Sequence, residues 1–175
     1  MSHTWVVVDV EADGKVPPRH SMVSFGAVIM EPGVARSFYG ETAPISNLWQ
    51  PEALAISGKT REQHLAMPPP RETMDQFTTW LSHNCEGRPI FVSDNPAFDW
   101  QWVNWYFEEF TAGNPFGHSA RRIGDLYAGF LKDVTKSSHF KRLRSTKHTH
   151  HPVDDARGNV EALLAMKALG LHFPP

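Results

Sequence analysis

The stretch Trp5-Val6-Val7-Val8-Asp9-Val10-Glu11 decides how this chain reads. Four apolar residues run directly into two carboxylates separated by one valine. A run this rich in β-branched residues predicts a strand buried on both faces, at the centre of a sheet covered by helices. Side chains at i and i+2 share a strand face, so Asp9 and Glu11 project together. Desolvating two like charges at the end of a core strand is costly unless a cation offsets them. Ala12-Asp13-Gly14 then lets the chain leave the sheet. A divalent-metal site and a polar strand end dissolving into a loop both fit these residues taken alone.

Outward from that strand, Ser21 to Met30 predicts a second strand and Ala35 to Thr42 a third, joined through the turn signal Glu31-Pro32-Gly33. Connections this short favour antiparallel pairing. Gln50-Pro51-Glu52-Ala53-Leu54 opens a short helix that Gly58 ends, and Thr60-Arg61-Glu62-Gln63 has the form of a capping box. An amphipathic helix follows from Glu72 to Ser82, with Met74, Phe77, Trp80 and Leu81 as its buried stripe. Pro89 to Ser93 reads as a strand parallel to the first, and Asp94-Asn95-Pro96 starts a helix carrying Phe98, Trp102, Trp105, Tyr106 and Phe110. Its tryptophans suit core packing better than base stacking. Arg122-Ile123 predicts a brief strand and Asp125 to Leu131 a helix. Thr135 to Thr149 reads as a mobile basic loop short of apolar anchors, and Asp154 to Leu169 as the last helix. The order is that of an α/β domain spanning residues 1–175: three antiparallel strands, then parallel strands, in a mixed sheet flanked by helices.

Composition narrows the function classes. An apolar fraction of 41% and six tryptophans in 175 residues exclude a disordered chain. No stretch reaches the ~20 apolar residues of a bilayer span, and the N-terminus carries no signal-peptide pattern. Cys85 is alone, so no internal disulfide forms and a reducing cytoplasm is expected. The net charge of −2 argues against non-specific coating of nucleic acid, yet between His118 and His151 eight Lys/Arg face two acids. That excess is either a solvated face or a patch that receives a polyanion.

Two further acids stand where the pattern is otherwise structural: Asp99 in a helix's first turn, and Asp155 near the start of the last helix. Ligand sites in parallel sheets form outside the carboxyl ends of the strands, the edge that would bring Asp99 beside Asp9 and Glu11. Four converging carboxylates without cysteine suit hard ions such as Mg²⁺ or Mn²⁺, and two such ions can hold both oxygens of a phosphodiester displacement. His148-Thr149-His150-His151-Pro152-Val153-Asp154-Asp155 adds imidazoles able to accept a proton from water at neutral pH. On spacing alone, His150 is equally well a solvated loop residue.

Three segments, Asp9-Val10-Glu11, Asn95-Pro96-Ala97-Phe98-Asp99 and His150-His151-Pro152-Val153-Asp154-Asp155-Ala156, together resemble the motifs of the DEDDh 3′–5′ exonucleases. That superfamily holds ribonuclease T, oligoribonuclease and polymerase proofreading domains. The likeness covers essentially the whole chain, including Ser24-Phe25-Gly26-Ala27-Val28. Residues His148 to Asn159 look closest to the ribonuclease AS-like group. The resemblance implies a ribonuclease H-like fold, metal ligands at Asp9, Glu11, Asp99 and Asp155, and a general base at His150, with His148 and His151 as rivals that lack the family spacing. It also implies hydrolysis of single-stranded nucleic acid from the 3′ end to nucleoside 5′-monophosphates, RNA expected ahead of DNA, in a homodimer. Ala12 stands where many members carry threonine, so contact to the terminal nucleotide there would be weaker. Pro96 and Pro152 would stiffen the loops bearing Asn95 and His150. Phe25, Trp102 and Trp105 are candidates for stacking on bases, and Lys147 and Arg157 for guiding the phosphate backbone. Two rival readings are a catalytically silent nucleic-acid-binding domain and a zinc hydrolase built on His148 and His150. For the latter, the metallo-β-lactamase pattern H-x-H-x-D-H fails at His151-Pro152.

Overall fold

The computed structural model describes residues 3–173. Strand β1 (His3–Ala12) is the centre of a five-stranded sheet in the order β3-β2-β1-β4-β5. Strands β2 (Met22–Ile29) and β3 (Ser37–Glu41) join it antiparallel, as the short connections predict. Strands β4 (Arg88–Ser93) and β5 (Ala120–Arg122) join it parallel after helical crossovers. The mixed sheet flanked by helices is the fold class that the order of elements predicts.

Alternation along β1 explains why its centre is apolar on both faces. Val6, Val8 and Val10 enter a core with Phe77 and Leu81 of α3 (Pro70–Asn84) and with Trp102, Tyr106 and Phe107 of α4 (Pro96–Phe110). Val7 enters the opposite core with Val28, Val92 and residues of α6 (Pro152–Ala168): Val153, Ala156, Val160 and Leu163. Each fully buried valine or phenylalanine contributes ~1.5–3 kcal/mol relative to exposure, so the pattern is strongly specified. Asp9 and Glu11 continue the Val7 series and therefore emerge on the α6 face.

The short helices α1 (Pro51–Ile56) and α2 (Arg61–Leu65) lie between β3 and α3. Thr60 caps α2 in a complete capping box with Gln63. Asp13, fully buried, accepts from the Ser21 N–H at 2.6 Å and from Arg61 at 2.9 Å, which ties the exit of β1 to α2. Helix α5 (Ile123–Leu131) follows β5 directly.

The expected mobile loop is the main correction. Val134–Leu143 is a ten-residue 3₁₀ helix. Phe140 is buried in the α6-side core and Leu143 packs against it, anchors that the polar composition of the segment hides. The tryptophan reading holds for Trp102, which has no accessible surface. Among the described residues, no helix is long and apolar enough to cross a membrane.

Gly26 sets the approach of α6 to the sheet. It sits opposite Asp9 in the β1–β2 register, and a Cβ there would come within 2.4 Å of the Pro152 carbonyl carbon and the Val153 nitrogen. Those atoms belong to a helix backbone and cannot rotate aside. Gly26→Ala is therefore expected to cost about 1–3 kcal/mol through overpacking. Gly129→Ala, with no atom within 4 Å of the new methyl, is expected to be neutral or stabilising. Chemical denaturation of both variants checks the contrast, and equal effects would show that the contact is not a constraint.

Candidate active site

The end of β1 becomes a site because its neighbours leave it. Pairing with β4 stops at Val7–Val92, and β4 turns away into α4 at Asn95, the residue that precedes its first turn. The Val10 N–H on that open side is taken by Asp99 Oδ1 at 3.2 Å. On the other side the β1–β2 register breaks between Glu11 and Ala12, an irregularity that re-aims the strand end. Asp155, in the first turn of α6, descends from above over Gly26.

Asp9, Glu11 and Asp155 thus offer carboxylate oxygens that all lie within 4.8 Å of one another. Asp99 stands outside that trio but next to it. It is buried, and its charge acts on Asp9 more strongly than those of Asp155 and Glu11 do. Burial first, then the charges of Asp99, Asp155 and Glu11, pushes the Asp9 carboxyl well above the usual carboxylate range. Burial, then Asp155, pushes Glu11 up to about 7. Burial likewise raises Asp99 to about 7 against the hydrogen bonds it accepts, among them that from Val10. Burial drives all three shifts, and those of Asp9 and Glu11 also mark a cluster too negative for its surroundings when it stands alone. Oxygen ligands only, three within one small sphere and a fourth beside it, form the donor set that hard divalent cations take, so the residues fit Mg²⁺ or Mn²⁺.

The chain supplies a partial counter-charge of its own. Arg144, with 8% of its side chain exposed, places Nη2 3.3 Å from Asp155 Oδ1 and lowers the Asp9 carboxyl. Its guanidinium lies across Gly158 of α6, where a Cβ would come within 2.5 Å of Nε. Sequence reading grouped Arg144 with the basic segment and assigned it no place in the site. The usable signal was a glycine three residues beyond Asp155 inside a helix.

The histidine loop is pinned at two points. Glu161 accepts from the Ser145 and Thr146 N–H groups, each at 2.7 Å. Asp155 accepts from the Thr149 N–H at 3.1 Å and the His150 N–H at 3.0 Å. His150 has φ 61°, a left-handed backbone that costs energy outside glycine, held here by its bond to Asp155. Its Nδ1 lies 3.9 Å from Glu11 Oε1, while His148 Nδ1 lies 2.8 Å from Asp155 Oδ2. His151 turns away to stack on Tyr39, with ring centroids 5.0 Å apart.

The remaining predicted residues divide. Lys147 is exposed beside a cleft of about 260 Å³ shared with Lys141, Arg144 and His148. Arg157 faces Asp154, with Nη1 3.6 Å from Oδ1, and not the acid centre. Asn95 is exposed at the start of α4, and Ala12 is buried opposite Met22. Phe25 is a correction: it has no accessible surface and packs against Phe38 and Phe77, so it presents no face to a base. Trp102 is excluded from stacking on a base for the same reason. A second cleft, about 390 Å³, runs from His150 and His151 past Ser24 and Tyr39 to Lys59. The larger groove of about 830 Å³ along α3 shares no residue with the acids.

No family model matches the sequence. A relative from Escherichia coli, the 3′–5′ DNA exonuclease Cap18, is 34% identical over 166 residues, covering 90% of this chain and 88% of the relative. Among solved structures, the cell-death related nuclease CRN-4 superposes with a TM-score of 0.76 at 15% identity over 95% of this chain. A 3′-exonuclease solved in recognition of the histone mRNA stem-loop gives 0.74 at 14% identity, over 98% of this chain and 85% of that one. The zinc-bound complex of E. coli ExoI with single-stranded DNA gives 0.71 at 17% identity. The chain spans 64% of CRN-4 and 41% of ExoI. The solved structures establish the ribonuclease H-like exonuclease fold, and the relative at 34% identity establishes the family: the chain belongs to the DEDDh 3′–5′ exonucleases.

Proposed function

We propose that this protein removes nucleotides from the 3′ end of single-stranded DNA with two divalent cations, Mg²⁺ or Mn²⁺, as nucleoside 5′-monophosphates. The observation that carries this reading is the meeting of Asp9, Glu11 and Asp155 within 4.8 Å beside His150. Asp9, Glu11 and Asp155 would hold one cation, and Asp9 with Asp99 the other. Bound there, such ions stabilise charge on phosphate oxygens and acidify water. The protein's own part is to keep the carboxylates converged, to hold His150 by its backbone, and to let that imidazole accept the proton of the attacking water. Lys141 and Lys147 line the basic cleft where phosphates of the strand would run. Tyr39, stacked on His151 and 40% exposed, replaces Phe25 as the aromatic available to a base.

The resemblance alone led to RNA ahead of DNA. DNA is supported by the Cap18 relative, which is called a DNA exonuclease, whereas the solved neighbours include both RNA and single-stranded DNA complexes. The discriminating group is the 2′-hydroxyl. Dimerisation belongs to the same reading through family likeness and a cytoplasmic location through the lone Cys85, and light scattering of the purified protein tests the former.

With Mn²⁺ or Mg²⁺, 3′-labelled single-stranded DNA should lose its label at once, and 5′-labelled DNA should give a descending ladder. Asp9→Asn or Asp155→Asn should abolish both, and His150→Ala should slow them ~10²–10⁴-fold. Degradation that survives EDTA or Asp155→Asn would sink the assignment. RNA cut faster than DNA of the same sequence would reverse the choice of sugar.

Stability gives a second, activity-free check. Glu11 is held at about 7 in the fold against 4.5 ordinarily, so the folded state binds the extra proton between those values. Glu11 therefore leaves stability unchanged below pH ~4.5 and lowers it progressively as pH rises toward 7, by roughly 2 kcal/mol after allowing for partial exposure. Metal-free wild type should lose stability across that window relative to Glu11→Gln, and Mn²⁺ at pH 8 should restore it to wild type. Parallel pH profiles for the two proteins would show that Glu11 is not held protonated.

A further inference from the structure

Beside the acid centre His150 is accompanied by a second imidazole, His148, to which the hydrolytic reading gives no role. Ligand atoms of His148, His150 and Asp155 all lie within 4.8 Å of one another. This group is distinct from the acid trio Asp9, Glu11 and Asp155, with which it has only Asp155 in common. The His148 and His150 rings are 4.3 Å apart at 69°, and their side chains are 56% and 52% exposed.

The donor sets differ in kind. Three carboxylates favour hard ions, whereas two imidazoles and one carboxylate favour a borderline ion. Zinc bound by imidazole and carboxylate keeps metal–ligand distances of ~2.0–2.2 Å, which puts neighbouring tetrahedral ligand atoms roughly 3.3 Å apart. His148 Nδ1 and Asp155 Oδ2, at 2.8 Å, are already closer than that. His150 needs only a side-chain adjustment, which its exposure permits. The backbone around them is fixed by the Thr149 and His150 bonds to Asp155 and by the Glu161 clamp, so little ordering cost is left for a ligand to meet. Solvent reaches the outer side and can complete the shell with water.

We propose that His148, His150 and Asp155 form a second cation site, selective for Zn²⁺ over Mg²⁺, and that its occupation switches the hydrolytic centre off. Zinc held there engages the imidazole of His150, which then accepts no proton, and draws on the carboxylate that the first site requires. Inhibition rests on the roles proposed above for His150 and Asp155. Zinc binding does not.

Calorimetric titration of the metal-free full chain separates the two sites. Zn²⁺ should bind wild type, and His148→Gln should weaken it by at least about 10-fold, as expected when a metal site loses a supporting group. Glu11→Gln should spare Zn²⁺ and weaken Mn²⁺. Co²⁺, a coloured surrogate, should give visible bands in wild type and Glu11→Gln that are absent in His148→Gln. In the presence of Mg²⁺, micromolar Zn²⁺ should suppress degradation of single-stranded DNA by wild type, while His148→Gln keeps most of its own zinc-free rate. Zinc affinity that follows Glu11 instead of His148, or equal suppression of both proteins, overturns the proposal. Absence of any zinc-free degradation would sink the hydrolytic reading instead, and the binding titrations would still decide the zinc site.

Discussion

The seat of α6 on Gly26 is the contact on which the site depends. The helix backbone at Pro152–Val153 lies where a side chain at Gly26 would be, directly across the strand register from Asp9. Van der Waals repulsion is steep, so this contact fixes a distance and not merely a preference. It carries Asp155 down to Asp9 and Glu11, and with it the histidine loop whose N–H groups bond to Asp155. The apolar burial behind it, from Val7, Val28, Val153, Ala156, Val160 and Leu163, presses the helix into that position.

Convergence of acids has an electrostatic cost, and the fold distributes the remedies. Desolvation favours protonated carboxyls at Asp9, Glu11 and Asp99, and repulsion from the neighbouring site acids adds to it at Asp9 and Glu11. Hydrogen bonds from the Val10 N–H to Asp99, and from the histidine-loop N–H groups to Asp155, offset part of it. Arg144 offsets more, and it reaches the centre only because Gly158 leaves a shelf on α6. What remains is a negative pocket that a divalent cation relieves. The same physics separates the two donor groups: oxygens meet beneath α6, and nitrogens meet at its mouth.

Much of this was legible in the chain. Unbroken valines in β1 require two apolar faces, and period two places Asp9 and Glu11 together whatever the rest of the molecule does. Proline at the first positions of α1 and α4, the Thr60 capping box and the Pro-Gly turn before β3 are local signals read correctly, because each depends on a few neighbouring residues, whereas α6 begins at Pro152, two residues before the expected Asp154. The 3₁₀ segment was missed for the opposite reason. Phe140 is a lone aromatic in a polar run, and only α5 and α6 packed against the segment make it an anchor. Phe25 was misjudged as a surface for bases because a strand's two faces look alike until both cores are built.

By itself, the sequence determined the fold class and which residue types could carry chemistry, since backbone periodicity and turn chemistry act over a few positions. It did not determine distances. That Asp155 joins Asp9 and Glu11 while Asp99 stands one step outside, that Arg144 enters the acid centre, and that the His148 ring is the imidazole paired with Asp155 while the His150 ring faces Glu11 were settled only by tertiary packing. Such contacts join residues up to about 150 positions apart, and their lengths are set by how closely two backbones can approach, a property of the assembled layers and not of any one segment.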